Sequence, residues 1–212
     1  MQQPVLYDYW RSSAAFRVRI ALNLKGIDYE RRQVDLREDE QKSADYRALN
    51  PQGLVPMLEI DGQRLTQSLA IINYLDLRYP NPPLIPVLAA ERAHVVAMAM
   101  LVACDIHPLN NLRVLKYLKK LGQSQDEIDA WYVHWISEGL PALEKMAAPH
   151  AGNFLFGDAP TGADVLLVPQ LYNARRYNVP LDAYPTLLRA DENANKLEPF
   201  AAAHPDRQKV EA

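Results

Sequence analysis

A proline-rich segment divides this chain into two parts whose sequence patterns differ. Residues 79–86 hold four prolines in eight positions, a density that ends any helix and is typical of a linker. Before this segment, short apolar runs of strand length alternate with helical spacing, whereas after it we find only helical spacing. The pattern predicts an α/β domain over residues 1–79, a linker over residues 80–87 and an all-α C-terminal domain over residues 88–212.

The first part has a defined order of strands and helices. Strands are predicted over residues 5–9, 29–36, 55–60 and 63–66, and helices over residues 14–24 and 68–78, with weak helical spacing over residues 37–48. Gly26 ends the first helix, because glycine readily takes the left-handed conformation found there. Asp61-Gly62 separates the last two strands and is a hairpin signal. The order β-α-β-α-β-β-α predicts a mixed sheet whose early strands are joined by right-handed crossovers.

The second part is predicted to be entirely helical. Helices are expected over residues 91–121, 124–146, 161–177 and 185–195. Pro108 should kink or interrupt the first of them and Pro169 should bend the third, because each proline removes a backbone hydrogen bond. Thr161 and Asp164 are spaced as in a capping box, with Asp in place of the usual Glu or Gln, and we interpret them as structural.

Composition limits the partners and the compartment. A net charge of -3 over 212 residues gives no general reason to expect nucleic-acid or membrane binding, and no apolar run approaches the ~18 residues of a membrane-spanning helix. The N-terminus lacks the basic and apolar pattern of a secretory signal. The five histidines lack the paired spacing of a metal site. Cys104, the only cysteine, is expected to pack as a small buried hydrophobe in a cytoplasmic protein.

Ser12 and Ser13 lie where the first strand turns into the first helix. A hydroxyl at this position is a common N-cap. The same position can hold a thiolate, because helix amides and a nearby cation such as Arg11 lower the pKa of a thiol from about 8.5. No cysteine lies at this turn, so the thiol would belong to a ligand. These residues alone leave both interpretations open.

Val55-Pro56 interrupts the third predicted strand. Proline has no backbone N–H to donate, so inside a strand it marks an edge or an irregularity. In the cis form the bond would expose the amide and carbonyl of Val55 to an extended ligand, whereas in the trans form Pro56 would simply begin the strand. These residues alone favour neither form.

Gln67 and Ser68 open the helix that follows the hairpin. Serine is a good N-cap, which is the simplest interpretation of Ser68. The free amides and the dipole of a helix N-terminus also attract a carboxylate, and the two interpretations are compatible. Taken in chain order, the three motifs predict a pocket for a small thiol tripeptide, and glutathione is the obvious candidate.

A polar run over residues 105–111 lies beside Pro108 in the second part. Polar groups at an interruption of a long helix indicate the lining of a cleft, although a lone histidine such as His107 is usually structural. Arg175 and Arg176 can likewise lie on a solvated helix face.

Over nearly its whole length the chain resembles the zeta class of glutathione transferases. The segments that carry the resemblance are residues 11–22, 50–56, 67–72 and 157–164. Residues 11–22, 105–111 and 173–177 are more specific to the isomerase branch of that class. Ala14 departs from the pattern, in which cysteine is common at this position. The resemblance implies a thioredoxin-like N-terminal domain, an all-α C-terminal domain and a homodimer with its site between the domains.

The resemblance also implies how glutathione is held. Ser12, with Ser13 beside it, would hold the sulfur. Val55 would pair with the cysteinyl backbone, ahead of a cis Pro56. Further contacts to glutathione are implied for Gln41, Gln67, Ser68, His107 and Asn111, with Gln67 and Ser68 at the γ-glutamyl end.

The implied substrate is a small acidic cis-alkene that faces Arg11 and Arg176. The expected activity is the glutathione-dependent cis–trans isomerisation of maleylacetoacetate, with no metal or redox partner. Because Ala14 offers no thiol, the nucleophile would be the glutathione thiolate, which adds to the alkene and leaves after rotation.

Three alternatives remain on the sequence. The first is the same chemistry on maleylpyruvate, a shorter diacid. The second is displacement of halide from α-halo acids by the same thiolate. The third is a non-catalytic binding module of the same fold, which the presence of the expected pocket residues disfavours.

Overall fold

The structure, a computed structural model, describes residues 3–209 and contains two compact units. The first unit holds the described residues up to Pro83 together with those from Leu197 onward, and the second unit spans Leu84–Lys196. The division near Pro83 lies within the proline-rich segment. The C-terminal boundary differs from the expected helical domain over residues 88–212, because the last described residues belong to the first unit.

The first unit is built on a four-stranded mixed sheet. Its elements up to the proline-rich segment are β1 (Val5–Asp8), α1 (Ser13–Leu24), β2 (Glu30–Gln33), a 3-10 helix (Glu40–Lys42), α2 (Ala44–Leu49), β3 (Met57–Ile60), β4 (Gln63–Thr66) and α3 (Ser68–Arg78). The strand order is β2-β1-β3-β4. β1 is parallel to β2 and antiparallel to β3, and β3 is antiparallel to β4. The predicted mixed sheet is therefore confirmed.

The burial of each strand follows from its position in this sheet. All four residues of β1, an inner strand, are buried, and its Tyr7 lies opposite the fully buried Met57 of β3. β2 is an edge strand whose four residues are charged or polar, which protects an exposed edge from pairing with other chains. The inner strand thus carries the chain through the core to the start of α1.

The predicted hairpin between β3 and β4 is confirmed. Asp61 has φ 51° and Gly62 has φ 73°, so both lie in the left-handed region. A two-residue turn of type I′ requires this conformation at both central positions. The turn places Ile60 opposite Gln63 and fixes the register of the pair.

The second unit is helical, as predicted. Its helical elements are α4 (Ala89–Met100), a π-helical segment (Leu101–Ile106), α5 (Leu112–Lys120), α6 (Gln125–Ala147), α7 (Gly162–Arg176) and α8 (Pro185–Asn195). The helix expected over residues 91–121 is divided, and α7 runs without a break through Pro169. Cys104 is exposed within the π-helical segment, so the expectation that it packs in the core is wrong. Within residues 3–209, no helix combines the length and the apolar character needed to cross a membrane.

The start of α7 confirms the predicted capping box. Thr161 donates from its backbone N–H (2.8 Å) and its hydroxyl (2.9 Å) to Asp164 Oδ2. The N–H of Leu155 donates to the other carboxylate oxygen at 2.8 Å. Burial raises the pKa of Asp164 to about 6, although these hydrogen bonds oppose the rise. The carboxylate therefore completes the helix start from within the chain.

The C-terminal segment forms two short helices, α9 (Glu198–Ala203) and α10 (Pro205–Gln208). α9 packs on α1, with the side chain of Phe200 fully buried and Asn23 Nδ2 donating to the Pro199 carbonyl at 2.9 Å. Neither helix was predicted from the sequence, because each is too short to show a helical period. α9 contacts α1 and α10 contacts α9, so both helices belong to the first unit and not to the expected helical domain.

Candidate functional site

Ser12 is the N-cap of α1. Its N–H donates to the Tyr9 carbonyl at 2.8 Å, and its Oγ accepts from the Ala15 N–H at 3.3 Å. The predicted capping role is thus confirmed. Capping uses the oxygen only as an acceptor, so the hydroxyl hydrogen of this half-buried side chain can still donate to a ligand.

The surroundings of Ser12 favour an anion. The first turn of α1 contains no acidic residue, so no carboxylate of that turn neutralises the partial positive charge of the helix N-terminus. Ser13 is the buried first residue of the helix. Arg11 is exposed, with its guanidinium carbon 5.4 Å from the centre of the Trp10 ring. In the sequence, Ser12 therefore lies between the cation of Arg11 and a helix N-terminus whose first turn carries no negative charge.

The Val55–Pro56 peptide bond is cis, as the resemblance implies. Val55 is half-buried and directly precedes Pro56 and β3. The preceding carbonyl, that of Leu54, accepts hydrogen bonds of 2.7 Å from Tyr46 Oη and from Asn50 Nδ2. Within the described residues, the backbone N–H and C=O of Val55 have no hydrogen-bond partner. This segment can therefore pair with an extended peptide.

Gln41 lies in the 3-10 helix, next to the loop that leads to Val55. Its side chain is buried, and Nε2 donates to Asp39 Oδ1 at 3.1 Å, whereas Oε1 is buried and has no partner among the described residues. Gly53 approaches its backbone closely, because a Cβ on Gly53 would lie 2.9 Å from the Gln41 carbonyl oxygen. Gln41 Oε1 is thus available to accept a hydrogen bond beside the loop that leads to Val55.

Gln67, not Ser68, is the N-cap of α3. It has φ 68° and makes no side-chain capping bond; its Nε2 donates instead to Gln52 Oε1 at 3.1 Å. Ser68 is the first helical residue, so the interpretation of Ser68 as a cap is wrong. Its buried hydroxyl accepts from Arg17 Nη1 at 3.3 Å. The first turn of α3 also lacks an acidic residue.

Arg17 was not predicted from the sequence as a site residue. It lies in α1 with 1% of its surface exposed, and its bond to Ser68 connects the starts of α1 and α3. Two arginines, Arg17 and Arg19, in a largely apolar, buried helix are a sequence signal for paired cations, since arginine is almost never fully buried unless paired. This hydrogen bond therefore links Gln67 and Ser68, the predicted glutathione contacts, to α1, the helix that Ser12 caps.

His107 and Asn111 lie at the polar interruption of the second unit. The N–H of His107 donates to the Val102 carbonyl at 2.9 Å, which completes the π-helical turn. Asn111 is the N-cap of α5, and its Oδ1 accepts from the Arg113 N–H at 3.1 Å. Between them, Asn110 is buried, with Oδ1 unpartnered in the described chain. π-helical turns often occur at functional sites.

Arg175 and Arg176 end α7 in different ways. Arg175 Nη2 pairs with Asp191 Oδ2 at 2.6 Å, so it serves as a structural contact to α8. The exposed Arg176 donates to Asn173 Oδ1 at 3.3 Å, and its guanidinium carbon lies 5.7 Å from the ring centre of Tyr177. No carboxylate within residues 3–209 pairs with Arg176. Arg176 is therefore the one of the two whose charge can act on an acid.

Comparison with protein families identifies the class of protein that these elements define. Residues 11–78 match the N-terminal domain of glutathione S-transferase, and residues 125–193 match its C-terminal domain. The chain belongs to the glutathione S-transferase family.

Several similar proteins within that family are named as isomerases. The probable maleylacetoacetate isomerase of Vibrio cholerae serotype O1 is 49% identical over 212 residues, with 98% of each chain covered. The maleylpyruvate isomerase of a Ralstonia species is 47% identical over 206 residues, covering 96% of this chain and 97% of the relative. The expected resemblance is therefore confirmed over the full length.

Solved structures give the same result. A holo maleylpyruvate isomerase, described as a bacterial zeta-class glutathione transferase, has a TM-score of 0.95 and 46% identity, covering 98% of this chain and all of that one. The maleylacetoacetate isomerase of Anaeromyxobacter dehalogenans, with glutathione in its active site, has a TM-score of 0.88 and 48% identity, covering 97% and 96%. The predicted glutathione transferase fold is confirmed.

Proposed function

We propose that this protein is a glutathione-dependent cis–trans isomerase that converts maleylacetoacetate to fumarylacetoacetate. The observation that carries the proposal is the Ser12 hydroxyl, which caps α1 as an acceptor and keeps its hydrogen for a ligand at a helix start without an acidic residue. Such a position stabilises a thiolate. Full-length similarity to isomerases of this kind supports the choice of reaction.

Each part of glutathione has a complementary group in this chain. Ser12 donates to the sulfur, with Ser13 beside it at the start of the helix. The free backbone groups of Val55, ahead of cis Pro56, pair with the cysteinyl residue as an added strand would. These contacts hold the thiol where the hydroxyl and the helix amides lower its pKa.

The remaining glutathione contacts lie at the ends of the tripeptide. The open start of α3, at Gln67 and Ser68, binds the γ-glutamyl carboxylate through free amides. The buried Oε1 of Gln41 accepts a hydrogen bond from the ligand. His107 and Asn111 are further proposed contacts, as the resemblance to zeta-class transferases implies.

The chemistry needs no protein nucleophile. The glutathione thiolate adds to one carbon of the cis C=C bond, and the π electrons move onto the conjugated carbonyl as an enolate. The former double bond is then single and rotates. Collapse of the enolate re-forms the C=C bond as trans and expels the thiolate, so glutathione is regenerated. Arg11 and Arg176 orient the carboxylate and stabilise the enolate charge.

Maleylpyruvate is the second candidate substrate, because a maleylpyruvate isomerase is 47% identical to this chain over 206 residues. The same thiolate addition and rotation apply to it. The two substrates differ in the length of the chain beyond the reacting alkene, so their specificity constants decide between them.

The deciding experiment compares the two substrates with and without glutathione. Loss of substrate absorbance and appearance of the fumaryl isomer are followed for each. A higher kcat/KM for maleylacetoacetate supports the assignment, and a higher value for maleylpyruvate moves it to the second candidate. Turnover at the same rate without glutathione would refute the mechanism for both.

We further propose that the protein is a cytoplasmic homodimer. Three large apolar side chains are exposed around α4. They are Val87 and Leu88, just before the helix, and Met100, its last residue, with 90%, 65% and 49% of their surface exposed. A partner subunit would cover such side chains. The sedimentation coefficient of the protein, and of a Val87→Lys variant, tests this; a monomer at micromolar concentration would contradict it.

A further inference from the structure

Arg19 is a fully buried charge in the middle of α1, two positions after Arg17. Its Nη1 donates to both oxygens of Asp8 at 2.8 Å, which pairs the two charges at the end of β1. A buried arginine keeps its charge, so every direction of its guanidinium needs an acceptor. The remaining acceptors are backbone carbonyls, and their positions indicate what this residue does.

The first of these carbonyls belongs to the turn before Ser12. Arg19 Nη2 donates to the Trp10 carbonyl at 3.0 Å. The peptide that carries this carbonyl is planar and includes the N–H of Arg11, so fixing the oxygen also fixes the direction of the Arg11 N–H. The Ser12 N–H closes the same turn by donating to Tyr9. Arg19 is thus bonded directly to the turn that presents Ser12.

The second carbonyl comes from the C-terminal segment. Arg19 Nε donates to the Ala203 carbonyl of α9 at 3.0 Å, across 184 positions of sequence. Arg31 Nε also donates to Asp8 Oδ2 at 2.9 Å, and its Nη1 donates to the Gln208 carbonyl at 3.5 Å. β1, the turn before Ser12 and α9 therefore meet at the Arg19 guanidinium.

We infer that Arg19 is the positioning residue of the thiolate site. Its bonds to Asp8, to the Trp10 carbonyl and to α9 fix the turn at residues 9–12, so that the Ser12 hydroxyl and the start of α1 point at the sulfur. Arg19 does not touch the reacting atoms. The inference rests on the proposed function, since the role of Ser12 is part of that proposal. It gives the C-terminal helices a part in glutathione binding without any contact to the ligand.

The test compares Arg19→Lys with Asn23→Ala. Lysine keeps the charge beside Asp8, but its single nitrogen cannot reach the Trp10 and Ala203 carbonyls together. Asn23→Ala removes another bond between α1 and α9 that does not involve the turn. We expect Arg19→Lys to lower kcat/KM for glutathione between about tenfold and a hundredfold, and to raise the pKa of the bound thiol in thiolate absorbance titrations. Asn23→Ala should leave both unchanged.

Equal effects of the two variants would overturn the inference, because they would reduce Arg19 to an anchor of α9. Native-state hydrogen exchange on the unaltered protein provides a measurement that does not depend on a variant folding. The Ser12 amide and the Arg19 Nε–H should lose protection in the same opening. An opening that exposes the Ser12 amide while Arg19 stays protected would also overturn it.

Ser12→Ala separates failure of this inference from failure of the proposed function. If Ser12→Ala keeps wild-type turnover, the proposed thiolate site is refuted whatever Arg19 does. If Ser12→Ala loses turnover while Arg19→Lys behaves like Asn23→Ala, only the role of Arg19 is refuted.

Discussion

α7 and α1 both begin at an N-cap, but their helix N-termini are completed in opposite ways. At α7, the carboxylate of Asp164 accepts from the amides of Leu155 and Thr161. At α1, no acidic residue lies in the first turn, and Ser12 Oγ accepts a hydrogen bond from a single backbone N–H, that of Ala15. A helix N-terminus attracts negative charge. At α7 the carboxylate of Asp164 supplies this negative charge, whereas at α1 a ligand would supply it. The start of α7 therefore stabilises the fold, and the start of α1 is suited to binding an anion.

Replacing Asp164 by Ala should have the largest effect, and on stability alone. The amides of Leu155 and Thr161 would stay buried without an acceptor, so we expect the free energy of unfolding to fall by about 4 kcal/mol. Urea denaturation measures this. The glutathione affinity of the remaining folded protein should stay within about twofold of wild type. A large loss of that affinity would break the comparison, because it would make the start of α7 part of the binding site.

The pH dependence of stability sharpens the same point. The pKa of Asp164 is about 6 in the folded chain and near 3.8 when unfolded, so between these values the folded state binds more protons. The stability contributed by this group is present below about pH 4 and is lost as pH rises to about 6, by up to about 3 kcal/mol. Denaturation of wild type and Asp164→Asn across this range isolates the effect; a pH-independent difference would contradict it.

Ser12→Ala and Ser124→Ala compare a binding cap with a structural one. Ser124 begins α6 in an exposed capping box, with its side chain accepting from the Glu127 N–H. Each variant should lose about 1 kcal/mol of stability, the usual value of a cap. Only Ser12→Ala should also lose turnover, by about a hundredfold, since it removes a donor to the thiolate. Equal turnover in the two variants would mean that both serines are caps and nothing more.

Replacement of Arg176, the last residue of α7, is expected to have the smallest effect on activity. Arg176→Ala should lower kcat/KM for the acidic substrate by about tenfold and leave the glutathione Kd unchanged, because its charge has no carboxylate partner in the described chain. Arg175→Ala is the control, since that side chain is already paired with Asp191. Parallel losses of substrate turnover and glutathione binding in Arg176→Ala would refute its assigned role.

Sequence patterns predicted the features that are satisfied within a few residues. The hairpin at Asp61-Gly62, the cap at Ser12 and the capping box of Asp164 each involve groups close in the chain, so residue type and spacing carry the information. Ser68 was interpreted wrongly for the opposite reason. Its hydroxyl bonds Arg17, 51 positions away, while Gln67 adopts the positive φ that begins the helix.

The sequence by itself determined the order of strands and helices, the hydroxyl at the start of α1 and the family resemblance that points to glutathione. Only the tertiary structure decided where the buried cations find their acceptors and which unit receives α9. The physical reason is that a buried charge must be paired, and the acceptors of Arg19 at Asp8, Trp10 and Ala203 meet only when the chain is folded. No local pattern records a contact between positions 184 apart.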